Sequence, residues 1–332
     1  MTRPVLITTR GDARIGIGHV LRSLELVQTF IGPWRASIHV DEEGEASRVI
    51  QQRGGPLVMG PLLQTVQALL PEILIVDRPD PDAGVLHALR RVVPRLRIVG
   101  LDYFERDRSA LDLVINLWNR GKTSTAETGH GYYEGLEYAI IRRRFVPFRR
   151  AKVQFASDIR RVLVTFGGAD LRHATIETIQ ALDKRVPAGF DVDVLAGPLC
   201  AETNRIARAI RSVRQRFTVH VDPPDVEAIM GAADLAITGG GTTLVELCYL
   251  GIPSVVYPAT PEEQGFAALF ERVGAVCLGD STTELLAHVT RLCSDPEQRL
   301  DMQVHAQALI DGEGPQRILD LVLQEKTRAA YA

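Results

Sequence analysis

Short apolar runs recur along this chain, and each is followed by a stretch whose apolar residues return at helical spacing. Residues 5–9 precede a helical stretch at 18–30, and residues 73–76 precede another at 83–93. This alternation predicts a parallel sheet with crossover helices, because strands buried on both faces read as unbroken Val, Ile and Leu while their covering helices are amphipathic. Further strands are expected at 98–101 and 113–116. The first half thus reads as one Rossmann-like unit ending near residue 145.

Between residues 142 and 158, where Pro147 and several arginines fall, every periodic signal weakens and a linker is expected. The pattern then restarts, with strands expected at 162–165, 192–195, 217–221, 235–238 and 254–257. A last stretch, 314–324, carries apolar residues at helical spacing and suits a helix returning to the first domain. A chain of 332 residues is long enough for two cores. The expected fold class is α/β, two Rossmann-like domains facing across a cleft, with domains at 1–145 and 159–313 and a C-terminal helix at 314–332. Ligands of such sheets bind beyond the carboxyl ends of the strands, so chemistry is expected just after strands.

Composition narrows the partners. A net charge of −3 supplies no global field for nucleic acid, and a small ligand is expected instead. The N-terminal run MTRPVLITTRGD breaks at charged residues as a first strand does, and no stretch approaches the roughly 20 apolar residues that span a bilayer. Cys200, Cys248, Cys277 and Cys293 lack metal-site spacing and suit reduced packing thiols, so a cytoplasmic setting is expected. The run Arg142, Arg143, Arg144, Arg149 and Arg150 leaves open either a solvated charge run or a basic surface making peripheral contact with an anionic membrane or glycan. The oligomeric state is not encoded in any pattern here.

Three glycine loops follow strands. The first, GDARIGIGH, leads from strand 5–9 into a helix, and Gly16 and Gly18 allow close backbone approach of a phosphate at the helix N-terminus. The G-x-G-x-x-G spacing of dinucleotide folds is not met, since Leu21 stands where the third glycine belongs. His19 ends this loop and suits a base near neutral pH, the alternative being a histidine that merely caps the loop. Arg22, one turn further on, either holds a phosphate or pairs with a carboxylate. The second loop carries Gly167 and Gly168, which either contact a ligand or make a tight turn.

The third loop is the most informative: Gly239, Gly240 and Gly241 precede a helix expected at 242–250 with Gly251 as its stop. Loop amides and the hydroxyls of Thr242 and Thr243 can hold a diphosphate at the positive end of that helix. Glu246 lies one turn further along the same face, where a carboxylate either accepts both hydroxyls of a ribose or stands as a solvated helix charge.

With these residues in view, the sequence resembles the nucleotide-sugar enzymes of the glycosyltransferase B (GT-B) fold. The segments IGIGHVLRSLEL, GLEYAIIRRRF, VLVTFGGAD, DLAITGGGTTLVELCYLGIPS and LIDGEGPQRI carry the resemblance. Within that group it is similar to the UDP-sugar hydrolase of pseudaminic acid biosynthesis, to spore-coat polysaccharide proteins and to the N-acetylglucosaminyltransferase of peptidoglycan precursors. The resemblance implies His19 as general base, a nucleotide site at Gly168, Gly240, Gly241, Thr242, Thr243 and Glu246, and UDP as the nucleotide. Sugar and phosphate contacts are expected from Gly16, Gly18, Arg22, Glu263 and Gln264, with Glu263 open also to acid–base work or to being a surface loop charge, and no cofactor or metal is expected.

Two departures bear on the reaction. Where the hydrolase carries a tyrosine after a strand-ending aspartate, this chain reads Asp77, Arg78, Pro79, Asp80, and Glu263 replaces the asparagine of an Asn-Gln pair. Hydrolysis is the function expected first, with two alternatives beside it. With water as acceptor, His19 hydrolyses the sugar–diphosphate linkage. With an alcohol, the same residues make an inverting glycosyltransferase. Without the missing tyrosine and asparagine, the chain is a catalytically weak nucleotide-sugar-binding protein.

Overall fold

The computed structural model describes residues 2–118, 131–151, 158–168, 170, 172–185, 189–213 and 216–324. Part of the expected linker (152–157), Ala169 of the second glycine loop and the tail 325–332 lie outside the described residues. The chain divides into two compact units, one of Met1–Arg10, His19–Ile140 and Glu313–Ala332, the other of Gly11–Gly18 and Ile141–Gly312.

The first unit is built on strands β1 (Arg3–Thr9), β2 (Trp34–Val40), β3 (Leu57–Met59), β4 (Ile73–Asp77), β5 (Arg97–Leu101), β6 (Leu113–Asn116) and β7 (Gly131–Glu134). They form one sheet in the order β3-β2-β1-β4-β5-β6-β7, parallel throughout. The two-residue alternation of a strand sorts its apolar side chains into two cores. Val5, Ile7, Ile73, Ile75, Val99 and Ile115 face the helix Gly18–Thr29 through Leu26, and the helix Gly314–Leu323 through Ile318, Leu319 and Val322. Leu6, Leu74, Val76, Ile98 and Val114 face the helices Leu62–Leu69 and Ala83–Val92 through Val66, Leu86 and Leu89. Each large apolar side chain of the last helix so buried contributes about 1.5–3 kcal/mol. Gly314, at its start, lies so close to the backbone of Ala139 that a Cβ there would fall 2.1 Å from the Ala139 oxygen.

The second unit contains β8 (Arg161–Thr165), β9 (Asp191–Ala196), β10 (Phe217–Val221), β11 (Leu235–Thr238), β12 (Ser254–Val256) and β13 (Val276–Leu278), again all parallel, in the order β10-β9-β8-β11-β12-β13. Val162, Val164, Val194, Ile237 and Val255 pack against Ile179 and Leu182 on one helix and Leu285, Val289 and Leu292 on another.

The strands expected at 113–116, 217–221 and 235–238 have those bounds, and the helix Thr242–Leu250 ends at Gly251 in the left-handed conformation (φ 78°). Strands β2, β3, β7 and β13 escaped the periodic reading for physical reasons. β2 carries Arg35, Ser37 and His39 among its apolar residues, β3 and β13 have three residues each, and β7 is largely exposed. The expected linker also differs. Residues 141–151 belong to the second unit and include the short helix Arg143–Phe148, held because its arginines bond to that unit.

Candidate functional site

In each sheet the chain first winds outward from the central strand and then returns to that strand's other side. This reversal opens a crevice at the carboxyl ends, between β1 and β4 in the first unit and between β8 and β11 in the second. The candidate residues cluster at these two places.

In the first unit, β1 exits toward His19, and β4 ends on Asp77, which is in register with Thr9. His19 Nδ1 lies 2.8 Å from Asp77 Oδ1. Asp77 is fully buried, and it also accepts from the Ser23 hydroxyl at 2.9 Å and from Arg22 Nε at 2.9 and 3.0 Å. Burial pushes the Asp77 carboxyl up, but Arg22 and then His19 outweigh it and hold it well below the usual carboxylate range. Two groups meet His19 Nδ1, the Asp77 carboxylate and, at 3.0 Å, Arg22 Nη2, while Nε2 takes no part in this cluster. The imidazole side chain keeps 24% exposure, so it is reachable by an acceptor.

Of the two readings open for Arg22, a phosphate contact or a carboxylate pair, the structure shows the pair. Arg22 is buried at 8% exposure, and its guanidinium bridges Asp77 and Asp102. Its charge is matched by two carboxylates instead of being presented to a phosphate. Asp102 in turn sits at positive φ (48°) and accepts from the Leu117 amide at 2.8 Å.

The three glycine loops differ in what their amides already hold. In the first, the Asp12 carboxylate accepts from the amides of Arg14 at 2.8 Å and Ile15 at 3.1 Å, and Gly16 takes positive φ (77°). In the second, Asp170 caps the helix Ala174–Arg185 through the amides of Ala174 and Thr175 at 2.9 and 3.1 Å. An anion is thus already in place there. The third loop leads into the helix Thr242–Leu250, whose N-cap is Gly241, and among the described residues no side chain caps it. Thr242 is exposed and Thr243 half-buried. The carboxylate that meets this loop, Glu263, bonds the Gly240 amide just before the helix and not the first helical amides.

The first loop packs onto that same place within the second unit. A Cβ on Gly18 would come within 3.0 Å of Thr242 Oγ1, and one on Gly168 within 2.9 Å of Ile17 Cγ1. Gly18 therefore lies against Thr242 and Gly168 against Ile17, with glycine favoured by the close approach at both, whereas Gly16 meets nothing within 4 Å and its glycine answers to positive φ. Gly240 meets Glu263, whose Oε2 accepts from the amides of Ala259 at 2.7 Å and Gly240 at 3.3 Å. Glu263 ties the loop to the helix Pro261–Glu271, while Gln264 is exposed and donates to Asp280 at 3.0 Å.

Glu246 is no solvated helix charge. It is 9% exposed and is gripped by Arg142, Nε to Oε1 at 2.7 Å and Nη2 to Oε2 at 3.0 Å. Three more arginines of the run are also taken up by the protein. Arg144 pairs with Glu227, Arg149 donates to the carbonyls of Asp311 and Gln307, and Arg150 donates to the Ala233 carbonyl. Arg142, Arg144, Arg149 and Arg150 are thus taken up by the second unit's own acceptors, and Arg143 is exposed.

Asp77, Asp102, Ser23 and Arg142 belong to these clusters without having been singled out. One signal was available for the two aspartates, since Asp77 ends the fully buried β4 and Asp102 directly follows β5, which is buried beyond Arg97. Arg142 had none, standing beside two other arginines with different fates.

No family model matches this sequence. It is 23% identical over 324 residues to the spore coat polysaccharide biosynthesis protein SpsG of Bacillus subtilis, covering 93% of this chain and 94% of that one. It is 33% identical over 184 residues to the UDP-N-acetylglucosamine–N-acetylmuramyl-(pentapeptide) pyrophosphoryl-undecaprenol N-acetylglucosamine transferase of Desulforudis audaxviator, covering 49% of this chain and 46% of the transferase. An uncharacterized protein of Methanocaldococcus jannaschii is 22% identical over 273 residues, 76% of this chain and 55% of that one. The chain thus spans about half the length of these last two relatives. Among solved structures, MurG of Acinetobacter baumannii matches with a TM-score of 0.67 at 14% identity, covering 96% of this chain and 99% of MurG. Anabaena HepE in complex with UDP-glucose matches with a TM-score of 0.62 at 16% identity, with 96% and 99% covered.

The chain has the GT-B fold. Both units carry the parallel sheets of that fold, with seven and six strands. Its relatives by sequence include glycosyltransferases and a polysaccharide biosynthesis protein, and this GT-B chain is accordingly an enzyme. Among the described residues no helix is long and apolar enough to cross a membrane.

Proposed function

We propose that this GT-B protein transfers a sugar from a UDP-sugar to an acceptor hydroxyl in glycan biosynthesis. The observation that carries the chemistry is the His19–Asp77 pair, in which Nδ1 lies 2.8 Å from a buried carboxylate; with Nδ1–H donated to Asp77, Nε2 would serve as the base. His19 Nε2 takes the proton of the acceptor hydroxyl as its oxygen attacks the anomeric carbon. The bond from that carbon to the diphosphate oxygen breaks, the electron pair leaves with UDP, and the configuration inverts. Charge developing on the diphosphate is offset by the open helix start at Thr242 and Thr243, and Glu246 receives the ribose. Glu263 and Gln264 supply the contacts to the sugar.

UDP is favoured because the relatives include a transferase named for UDP-N-acetylglucosamine and the solved neighbours include HepE with UDP-glucose. Transfer is favoured over the hydrolysis first expected, since transferases recur among the sequence relatives. A buried carboxylate aligning a histidine argues against a purely binding role.

The test incubates purified protein with UDP-, GDP-, CMP- and dTDP-sugars, with and without glycan or lipid acceptors, and follows nucleotide release. Release of UDP that depends on acceptor supports transfer. Equal release without acceptor makes the protein a hydrolase, and no release from any donor refutes the enzymatic reading.

A further inference from the structure

Among the ionisable groups of the second unit, Glu246 stands out for how it is held. Its carboxylate lies on the helix Thr242–Leu250, nearly buried, and the Arg142 guanidinium meets it side-on, with Nε and Nη2 each reaching a different oxygen at 2.7 and 3.0 Å. The guanidinium is itself fixed, because it lies 4.7 Å over the ring of the fully buried Phe145. The pair is not sealed off: the side chains of Arg142 and Glu246 retain 12% and 11% exposure.

A carboxylate has about four acceptor sites, two per oxygen. The arginine fork uses one on each oxygen, leaving one on each. Two acceptors held side by side in a fixed plane match the two hydroxyls of a vicinal cis-diol, which point the same way at a similar spacing. A glutamate free to rotate would present that pair only part of the time. A lysine in place of Arg142 would keep the charge but offer a point contact without the planar fork.

We infer that Arg142 is a positioning residue for ribose recognition, locking Glu246 in the orientation that accepts the 2′- and 3′-hydroxyls of the nucleotide. This rests on the nucleotide reading given above and deepens it. Arg142 touches Glu246 and not the nucleotide, so its effect is on ribose selectivity and not on the diphosphate.

The test measures Kd for UDP and for 2′-deoxy-UDP by calorimetry, on the full chain, for wild type, Arg142→Lys and Glu246→Gln. The ratio of the two constants is the readout. Both ligands sample the same folded population, so a variant that is partly unfolded changes each constant and leaves their ratio intact. Wild type is expected to prefer UDP by about tenfold, the order of one charge-assisted hydrogen bond, and both variants to bring the ratio near one. If Arg142→Lys keeps the wild-type ratio while Glu246→Gln loses it, Arg142 has no positioning role and the inference is overturned with the nucleotide site intact. If wild type prefers UDP and Glu246→Gln keeps that preference, the ribose assignment of Glu246 fails and this inference with it. If wild type binds neither nucleotide, the nucleotide reading itself falls.

Discussion

His19 Nδ1 and Asp77 Oδ1 lie 2.8 Å apart although 58 positions separate them in the chain. The pairing exists because β4 returns beside β1, which brings the end of one strand to the loop leaving the other. His19→Ala should lower kcat for UDP release by about a hundredfold to ten-thousandfold, with a smaller effect on KM, as loss of a general base does. Asp77→Asn should also lower kcat, because an amide no longer fixes the tautomer. Steady-state kinetics on both variants check this, and unchanged turnover in His19→Ala would remove the histidine from the mechanism.

Gly18→Ala tests the packing of the first glycine loop on the nucleotide helix. The added Cβ would meet Thr242 Oγ1 at 3.0 Å and Thr242 Cγ2 at 3.1 Å. Displacing the threonine is expected to cost about 1–3 kcal/mol of fit, read as a roughly tenfold or larger rise in Kd for UDP. An alanine variant binding UDP as wild type does would show that Thr242 and this loop are not part of the nucleotide site.

Gly314→Ala should destabilise the first unit by at least about 3 kcal/mol, because the new methyl group would stand 2.1 Å from a backbone oxygen that has little freedom to yield. Urea unfolding of the full chain, followed by circular dichroism, should show an early transition. A single transition at the wild-type midpoint would contradict the contact of this helix with Ala139.

His39 links stability to pH. It is fully buried, with Nδ1 3.0 Å from the Thr8 hydroxyl and Nε2 2.7 Å from the Gly60 carbonyl. Burial lowers its pKa below the ordinary 6.5, with the Gly60 carbonyl only partly opposing that shift. The unfolded chain therefore binds the proton more readily, and stability is full above the ordinary value and falls as pH drops from there toward the depressed folded value. Tm measured across this window should fall with acid in wild type and fall less in His39→Gln. An equal slope in both proteins would refute the linkage.

Much of the fold was legible before any coordinates. The unbroken apolar runs of parallel strands, the glycine loops that follow them, and the stop at Gly251 are local patterns, set by residues within about one turn or one strand of each other. They located the loops at Gly16–Gly18, Gly167–Gly168 and Gly239–Gly241, and the helix that carries Thr242 and Glu246. Elements with weak periodicity, such as β2 with its buried His39, were not legible, since a polar residue inside a strand breaks the pattern that reveals it.

For the strongly apolar strands, the sequence by itself determined where the strand ends and the next helix begins, and therefore which residues stand near a carboxyl edge. It did not determine what each charge faces. That Arg22 bridges Asp77 and Asp102, that Arg142 reaches Glu246 across 104 positions, and that Gly18 lies against Thr242 are outcomes of strand order and of the path between strands. Periodicity is a short-range property of the chain, whereas pairing a buried charge needs a partner that only the assembled sheet brings within reach.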